Sequence, residues 1–289
     1  MAEHAIELPT PWGKLCGTLL LPEGSGPWTA ALLVAGSGPT DRDGNNPLLP
    51  APIDNLKRLA EGLAARGIAS LRYDKRGVAA SVYPGLSEEK LRFEDLVDDA
   101  VALAGLLADD ERVARVVLVG HSEGSLIAAL AAEDAQAAAV VSVAGAGERA
   151  SALMRSQIEG TLPADLSEPA LAALAALERQ QPVADVPDAL VLLFRPTVQP
   201  YLMSWFRYDP PEVLADLQVP ALVVHGTADP QVGVEHASLL HAGKPDARLV
   251  IVEGMDHLLS VGGDIARGTD VLAEQVAGWL QEIGVGVAA

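Results

Sequence analysis

Short runs of Val, Leu and Ile alternate along the chain with longer stretches in which apolar residues recur every three or four positions. The short runs are typical of strands buried on both faces of a parallel sheet, and the longer stretches predict helices packed on that sheet. The strands are predicted near 14–21, 30–35, 68–73, 113–119, 138–144, 221–226 and 248–253, with an antiparallel edge strand near 3–8. The helices are predicted at 52–66, 94–108, 122–132, 234–242 and 269–283. The predicted fold class is therefore α/β, with a mostly parallel, doubly wound sheet.

One segment interrupts this alternation. Between Ala144 and about Ala215 the chain has no clear strand, and prolines separate its Ala- and Leu-rich stretches. Roughly 65 residues are too many for a structureless loop in a compact domain. We therefore predict a small helical insertion at 147–212, called the cap segment below, in a core formed by 1–146 and 213–289.

Composition and charge limit the class of protein. With 49% hydrophobic and 20% charged residues, the chain has enough apolar side chains for a sizeable core. Its 20 Lys and Arg against 39 Asp and Glu give a net charge of −19, which repels polyanions, so we expect no nucleic-acid partner. The charged N-terminus lacks a hydrophobic targeting segment, and no stretch approaches the roughly 18 apolar residues of a membrane span. These features predict a cytoplasmic protein without a membrane partner.

The pentapeptide Gly120-His121-Ser122-Glu123-Gly124 matches the G-x-S-x-G pattern, whose glycines permit a sharp turn from a strand into a helix. The pattern alone is weakly specific. Here an apolar run at 116–119 leads into it and an apolar helix face follows it. Both flanks favour a nucleophilic Ser122 over an incidental glycine-rich turn.

A serine nucleophile needs a base to take its proton and a carboxylate to orient that base. His257 lies in a loop just after a predicted strand, whereas the other five histidines precede the sheet, sit in the turn itself, or lie in a buried strand or on a helix. Asp229 also follows a predicted strand, and the carboxyl ends of parallel strands share one edge. We therefore predict Ser122, Asp229 and His257 as catalytic residues. Asp256 adjoins His257, but adjacent side chains in a loop seldom face each other. The alternative for Asp229 is a helix-capping or turn role, and the alternative for His257 is a solvated loop histidine.

The order serine, acid, histidine at 122, 229 and 257 resembles that of the α/β-hydrolase superfamily over nearly the whole chain. Segments 35–43, 72–81 and 229–232 look like its bacterial serine esterase branch, related to the dienelactone-hydrolase-like and acyl-peptidase-like groups. The resemblance implies an α/β-hydrolase fold and an oxyanion hole made by the backbone N–H groups of Ser37 and Glu123. That branch commonly has His-Gly where this chain has Ala35-Gly36, but because the donors are main-chain groups, Ala35 need not remove the hole.

Five of the eleven aromatic residues fall between positions 194 and 208, inside the cap segment. An insertion at this point of the fold covers the catalytic edge, where aromatic side chains can line a pocket for an acyl or alcohol group. Phe194, Tyr201, Trp205 and Phe206 are therefore predicted to bind substrate. The alternative is that they fix the cap segment to the core.

Two charged stretches near this edge have a structural interpretation. Asp41, Arg42 and Asp43 are expected to form ion pairs that support their loop rather than to contact substrate. Asp74 and Arg76 are expected to fix the loop after the strand that ends at Tyr73.

Together these features predict a serine carboxylesterase that needs no cofactor or metal and hydrolyses small, uncharged esters through an acyl-enzyme. A serine aminopeptidase and a thioesterase are the alternatives among hydrolases, and the net charge of −19 disfavours polyanionic coenzyme A esters. A catalytically inactive ligand-binding protein of the same fold is the alternative outside enzymes, and the complete set of triad residues disfavours it. The sequence leaves homo-oligomerisation and the natural ester open.

Overall fold

The computed structural model describes residues 1–286, and its strands form a single sheet. They are β1 (Ala2–Thr10), β2 (Gly13–Leu21), β3 (Trp28–Val34), β4 (Ala69–Tyr73), β5 (Val113–His121), β6 (Ala139–Val143), β7 (Ala221–Gly226) and β8 (Arg248–Val252). Within the described residues the sheet has the order β1-β2-β4-β3-β5-β6-β7-β8. β1 pairs with β2 and β2 with β4 in antiparallel fashion, and all other neighbours are parallel. Each strand lies within two residues of its predicted bounds, and the predicted α/β class is confirmed.

Helices cover both faces of this sheet. They are α1 (Asn55–Ala64), α2 (Phe93–Ala108), α3 (Glu123–Ala131), α4 (Ala150–Thr161), α5 (Ala164–Glu178), α6 (Val191–Phe194), α7 (Gln199–Trp205), α8 (Pro210–Asp216), α9 (Glu235–Gly243) and α10 (Ile265–Glu282). Short 3₁₀ turns occupy Ala79–Ser81, Glu88–Lys90 and Asp188–Leu190. None of the described helices combines the length and apolar character that crossing a bilayer requires. The cytoplasmic location stays a prediction.

The start of α10 differs from its prediction. The helix begins at Ile265, four residues before the predicted position, because the Asp264 carboxylate caps it by accepting from the Arg267 N–H at 3.1 Å. Gly268 lies in its first turn, so close to the Leu259 carbonyl that a Cβ would come within 2.0 Å of the oxygen. This glycine serves a tertiary contact, which local sequence pattern does not reveal.

Hydrophobic layers lie on both faces of the sheet. Along β5, Val116 and Leu118 belong to the layer formed with α2 and α3, whereas Val117 and Val119 belong to the layer formed with α1 and α10. Burial on both faces is the reason that the strand is an unbroken apolar run rather than an alternating one. The carboxyl ends of the parallel strands consequently meet at one edge, where the candidate site lies.

The cap segment contains α4, α5, α6 and α7, and no strand occurs among its described residues. The predicted boundary at 212 falls inside α8, which begins with Pro210-Pro211, residues that suit the first turn of a helix. α8 packs against α9 and α3 of the core. The division into core and cap stays a prediction, with its second boundary moved to before Pro210.

Candidate active site

Ser122 lies on a sharp turn between β5 and α3. Its backbone has φ 54° and ψ −120°, a strained conformation for a non-glycine residue, and its N–H donates to the Val143 carbonyl at 2.8 Å. Both glycines of the pentapeptide are required by close backbone approach. A Cβ on Gly120 would lie 2.0 Å from the Gly124 carbonyl oxygen, and one on Gly124 would lie 2.3 Å from that of Val34. The turn presents the serine hydroxyl at the carboxyl edge of the sheet.

The three predicted catalytic residues lie in one chain of hydrogen-bonding groups. His257 Nε2 is 3.1 Å from Ser122 Oγ, and His257 Nδ1 is 2.7 Å from Asp229 Oδ2. Ser122 follows β5, Asp229 follows β7 and His257 follows β8, so three strand ends bring them together. With this geometry the imidazole can accept the serine proton while the carboxylate holds its Nδ1–H.

The Asp229 carboxylate is held in its charged form. Burial alone would raise the pKa of Asp229, but the hydrogen bond and charge attraction of His257, with further bonds from backbone N–H groups, lower the pKa below its ordinary value. Those N–H groups belong to Val232 and Gln231 and donate to Oδ1 at 2.9 and 2.8 Å. Asp229 therefore stays ionised at neutral and mildly acidic pH, as an orienting acid must.

The Asp256 carboxylate forms hydrogen bonds within its own turn. Its Oδ1 accepts from the backbone N–H groups of Leu258 and Ser260 at 3.0 and 2.9 Å, and its Oδ2 accepts from the Ser260 hydroxyl at 2.6 Å. These bonds shape the loop that carries His257, and among the described residues Asp256 makes no hydrogen bond to the imidazole.

His121 contacts the site in a way that the sequence did not indicate. Its ring lies 5.0 Å from the ring of His257, centroid to centroid, and lines the same cleft. Burial and the neighbouring His257 lower the pKa of His121 to about 3, so it is neutral at physiological pH. Its Nε2–H can then donate to the His257 carbonyl, 2.8 Å away, and brace the histidine loop.

The two backbone N–H groups implied as oxyanion donors lie beside the serine. Gly36, which precedes Ser37, approaches Ser122 so closely that a Cβ on Gly36 would be 3.2 Å from the serine Cβ. Glu123 is the first residue of α3, where N–H groups have no acceptor within the helix. Across residues 1–286, neither the Ser37 N–H nor the Glu123 N–H has a hydrogen-bond acceptor. Both are thus free to donate to a bound oxygen.

An open cleft reaches Ser122 and His257. The connection between β3 and α1 forms most of its wall, and the loop after His257 closes one side. Apolar lining comes from Leu48, Leu49, Ile53, Leu56 and Leu258, and polar lining from Thr40, Asn46, Asn55 and Gln231. Among the described residues that line the cleft there is no Asp, Glu, Lys or Arg. Within residues 1–286, no three His, Cys, Asp or Glu side chains come together as metal ligands would.

A family model described as the alpha/beta hydrolase family matches residues 31–267. The chain belongs to the alpha/beta hydrolase family. The resemblance inferred from the motifs is thereby confirmed. Esterase EstD of Thermotoga maritima is 29% identical to this family member over 252 residues, which make up 86% of this chain and 58% of that protein. The chain thus spans less than two thirds of the length of that curated relative.

Solved structures show the same fold. Est1E from Butyrivibrio proteoclasticus aligns with a TM-score of 0.65 at 16% identity, over 97% of this chain and 99% of that one. A proline iminopeptidase from Mycobacterium smegmatis aligns with a TM-score of 0.66 at 16% identity, over 96% and 98%. Likeness at this level of sequence identity shows the fold and does not decide the substrate.

In this alpha/beta hydrolase the four aromatic residues predicted to bind substrate do not line the cleft at Ser122. Trp205 stacks on Phe93 of α2, with ring centroids 5.6 Å apart, and Tyr201 lies 6.1 Å from the same ring. Phe194 and Phe206 are buried in the same hydrophobic layer. The packing of Tyr201 and Trp205 on α2 agrees with the alternative that aromatic residues fix the cap segment to the core.

Ion pairs hold the main wall of the cleft against the sheet. Arg42 pairs with Asp74 at 2.6 Å, and the buried Arg72 pairs with Asp43 at 2.7 Å. Arg76 pairs with two carboxylates of α2. The predicted ion pairs are confirmed for Arg42 and Asp43, and the predicted loop contacts for Asp74 and Arg76. Asp41 forms no ion pair among the described residues; its Oδ1 accepts from the backbone N–H groups of Asp43 and Asn45, each at 2.9 Å. The cleft wall is therefore a braced loop, although it lacks regular secondary structure.

Proposed function

We propose that the chain is a serine carboxylesterase that cleaves small, uncharged carboxylic esters through an acyl-enzyme. The observation that carries this proposal is the alignment of Ser122, His257 and Asp229 at 3.1 and 2.7 Å, beside a cleft and two unbonded backbone N–H groups. The esterase activity named for the relative EstD supports an ester as the substrate class.

In the first half of the proposed reaction, Ser122 Oγ attacks the ester carbonyl carbon while its proton moves to His257 Nε2. The carbonyl oxygen becomes an oxyanion and accepts from the N–H groups of Ser37 and Glu123. Collapse of the tetrahedral intermediate breaks the bond to the alcohol oxygen, which receives the proton from His257 Nε2. The products of this half are the free alcohol and the Ser122 acyl-enzyme.

In the second half, water enters the open cleft and attacks the acyl-enzyme. His257 Nε2 takes the water proton, the same two N–H groups hold the second oxyanion, and the proton then returns to Ser122 Oγ as the carboxylic acid leaves. Asp229 stays an anion throughout and stabilises the imidazolium that forms in each half. No cofactor is part of this proposal.

The uncharged cleft favours an ester without charged groups. An aminopeptidase would need a carboxylate near the serine to hold the substrate ammonium, and none is present among the described lining residues. A thioesterase acting on coenzyme A esters would gain from Lys or Arg, which are also missing from that lining. The serine aminopeptidase considered from the sequence is therefore disfavoured by this lining, and the assay below separates it from the esterase.

This proposal is tested by steady-state hydrolysis of p-nitrophenyl esters from acetate to palmitate, alongside amino-acid p-nitroanilides and an acyl-coenzyme A. We expect kcat/KM to be highest for an ester of short or medium chain. A higher kcat/KM for a p-nitroanilide with a free amino group would replace the esterase by the aminopeptidase. Hydrolysis of every substrate at the uncatalysed rate in buffer would support the alternative that the chain is a catalytically inactive ligand-binding protein.

We expect the Leu48-Leu49 pair to set the chain-length preference. Both leucines line the cleft, and replacing both by alanine removes apolar contact that a long acyl chain uses and an acetyl group does not. Each methylene that loses burial costs about 0.8 kcal/mol, so the ratio of kcat/KM for hexanoate to that for acetate should fall several-fold. The matched control is the exposed pair Leu192-Leu193 of α6, which does not line this cleft. An equal change of the ratio in both double variants would contradict the assignment of the cleft.

Ester hydrolysis should decrease on acidification, because a protonated His257 cannot accept the serine proton. Burial and the neighbouring His257 lower the pKa of His121 to about 3, so His121 does not change charge between pH 5 and 8. Burial also lowers the pKa of His225 below its ordinary value, and bonds from His257 and backbone N–H groups lower that of Asp229. The profile of kcat/KM for an uncharged ester should therefore fall on its acid side. Constant kcat/KM between pH 5 and 8 would argue against His257 as the base.

A further inference from the structure

A buried polar cluster lies directly behind the two oxyanion donors. It consists of Lys75, Glu123 and Tyr201, each less than a tenth exposed, and is called the Lys75 cluster below. Lys75 Nζ donates to the carbonyl oxygen of Gly36 and lies 3.3 Å from Glu123 Oε2. The Tyr201 hydroxyl donates to Glu123 Oε1. The three side chains come from the loop after β4, the start of α3 and α7 of the cap segment.

The first contact acts on one donor through the geometry of the peptide unit. The carbonyl of Gly36 and the N–H of Ser37 belong to the same planar trans peptide, so they point in opposite directions. When the Lys75 ammonium holds the Gly36 oxygen on one side, the Ser37 N–H is directed to the other side, towards Ser122. The lysine thus sets the orientation of the Ser37 donor without touching a substrate.

The second contact acts on the other donor. Glu123 supplies its backbone N–H at the first position of α3, and its side chain is held between Lys75 and Tyr201. Fixing this side chain fixes the residue whose N–H faces the oxyanion. A single ammonium group therefore couples the two donors, which lie on different elements of the fold.

The expected energetics do not favour stability as the reason for this cluster. Removing two charges from water costs several kcal/mol, and a buried ion pair is often no more stabilising than well-packed apolar side chains of similar volume. Burial and Glu123 raise the pKa of Tyr201 well above its ordinary value, so its hydroxyl stays a neutral donor. A fully bonded polar network of this kind fixes the relative position of the groups attached to it.

We propose that Lys75, Glu123 and Tyr201 position the oxyanion hole, and that the hydroxyl of Tyr201 makes the geometry of the hole depend on the seating of the cap segment. Tyr201 thereby has a role different from the one predicted for it: it acts through Glu123 and not by contact with the substrate. This inference rests on the proposed function, because it concerns an oxyanion formed at Ser122.

The test compares Tyr201→Phe with Tyr208→Phe. Both tyrosines lie in the cap segment, pack on Phe93 and donate a hydroxyl hydrogen bond to a carboxylate, but Tyr208 donates to Glu94 of α2 at 2.7 Å. Each substitution removes only the hydroxyl and keeps the ring. We expect Tyr201→Phe to lower kcat for p-nitrophenyl butyrate roughly tenfold and to leave KM within about twofold of the wild type. This loss of kcat is smaller than the roughly 10²–10³-fold loss that follows removal of an oxyanion donor itself. Tyr208→Phe should leave kcat unchanged.

A second readout separates positioning from general destabilisation. A trifluoromethyl ketone adds the serine oxygen to its carbonyl carbon and forms a stable tetrahedral oxyanion, so its affinity depends on the hole. We expect its inhibition constant to rise for Tyr201→Phe by the same factor by which kcat/KM falls. Lys75→Met should lower kcat further, roughly a hundredfold. The loss of kcat in the double variant of Lys75 and Tyr201 should be smaller than the product of the two single losses, because both side chains hold Glu123.

Equal kcat and equal inhibitor affinity for Tyr201→Phe and Tyr208→Phe would overturn the inference while leaving the proposed esterase intact. A higher KM with unchanged kcat for Tyr201→Phe would also overturn it, since an oxyanion hole acts after substrate binding. If Lys75→Met does not fold, the comparison of Tyr201→Phe with Tyr208→Phe tests the inference by itself. Wild-type protein that hydrolyses no ester would overturn the proposed function, and this inference with it.

Discussion

Replacing Ser122 by alanine is expected to abolish ester hydrolysis while leaving the fold intact. The serine Oγ has one hydrogen-bonding neighbour among the described residues, His257 Nε2, so no structural contact is lost. Alanine keeps the Cβ, so the strained backbone at φ 54° gains no additional strain. Loss of a triad serine lowers kcat by about 10⁶-fold on the precedent of subtilisin. The measurement is kcat on p-nitrophenyl butyrate, with circular dichroism melting to check the fold.

Ser125→Ala is the matched control for this substitution. Ser125 lies one turn further along α3, buried, with its hydroxyl donated to Ser142 Oγ at 2.6 Å. Its loss should lower Tm slightly and leave kcat close to that of the wild type. Ser122→Ala protein that retains kcat within about a hundredfold of the wild type would remove Ser122 from the nucleophile role.

Asp229→Asn is expected to cost about 10⁴ in kcat, whereas Asp256→Asn should cost less than tenfold. The Asp229 carboxylate holds His257 Nδ1 at 2.7 Å, and an amide there permits the wrong imidazole tautomer. Asn at 256 keeps an oxygen that can accept from the backbone N–H groups of its turn. The two variants should be compared at the same pH with kcat/KM for an uncharged ester. The opposite ranking would assign the orienting role to Asp256.

The strand pattern predicted both the sheet and the positions of the three candidate catalytic residues. Ser122, Asp229 and His257 each directly follow a strand, and parallel strands impose a common edge on residues far apart in sequence. The proximity of these three residues can therefore be predicted from the sequence alone. The G-x-S-x-G pentapeptide likewise encodes its own geometry, because Gly120 and Gly124 mark close backbone contacts within a few residues.

The cleft wall could not be predicted in this way. Leu48 and Leu49 lie in a connection without regular secondary structure, so no hydrophobic period marks them. Their loop is positioned by ion pairs such as Arg42–Asp74, whose partners are 32 positions apart. Tyr201 and Trp205, two of the aromatic residues that the sequence suggested for this wall, pack on Phe93 of α2 instead.

The Lys75 cluster also could not be predicted from the sequence. Lys75 and Glu123 are 48 positions apart, and Glu123 and Tyr201 are 78 apart. Each residue alone has an ordinary interpretation as a loop charge, a helix-start acid or an aromatic of the cap segment. Their common function depends on burial and on which carbonyl the lysine meets, and both are properties of the folded chain.

The most direct test of the proposed chemistry is to map the residue that a fluorophosphonate modifies. The purified wild-type protein is incubated with the probe, digested and analysed by mass spectrometry, with Ser122→Ala treated in parallel. If Ser122 is the nucleophile, we expect one phosphonyl adduct, on Ser122. It should appear as esterase activity is lost and be absent from Ser122→Ala. An adduct on another residue that tracks the loss of activity, or full esterase activity in protein carrying the Ser122 adduct, would contradict it.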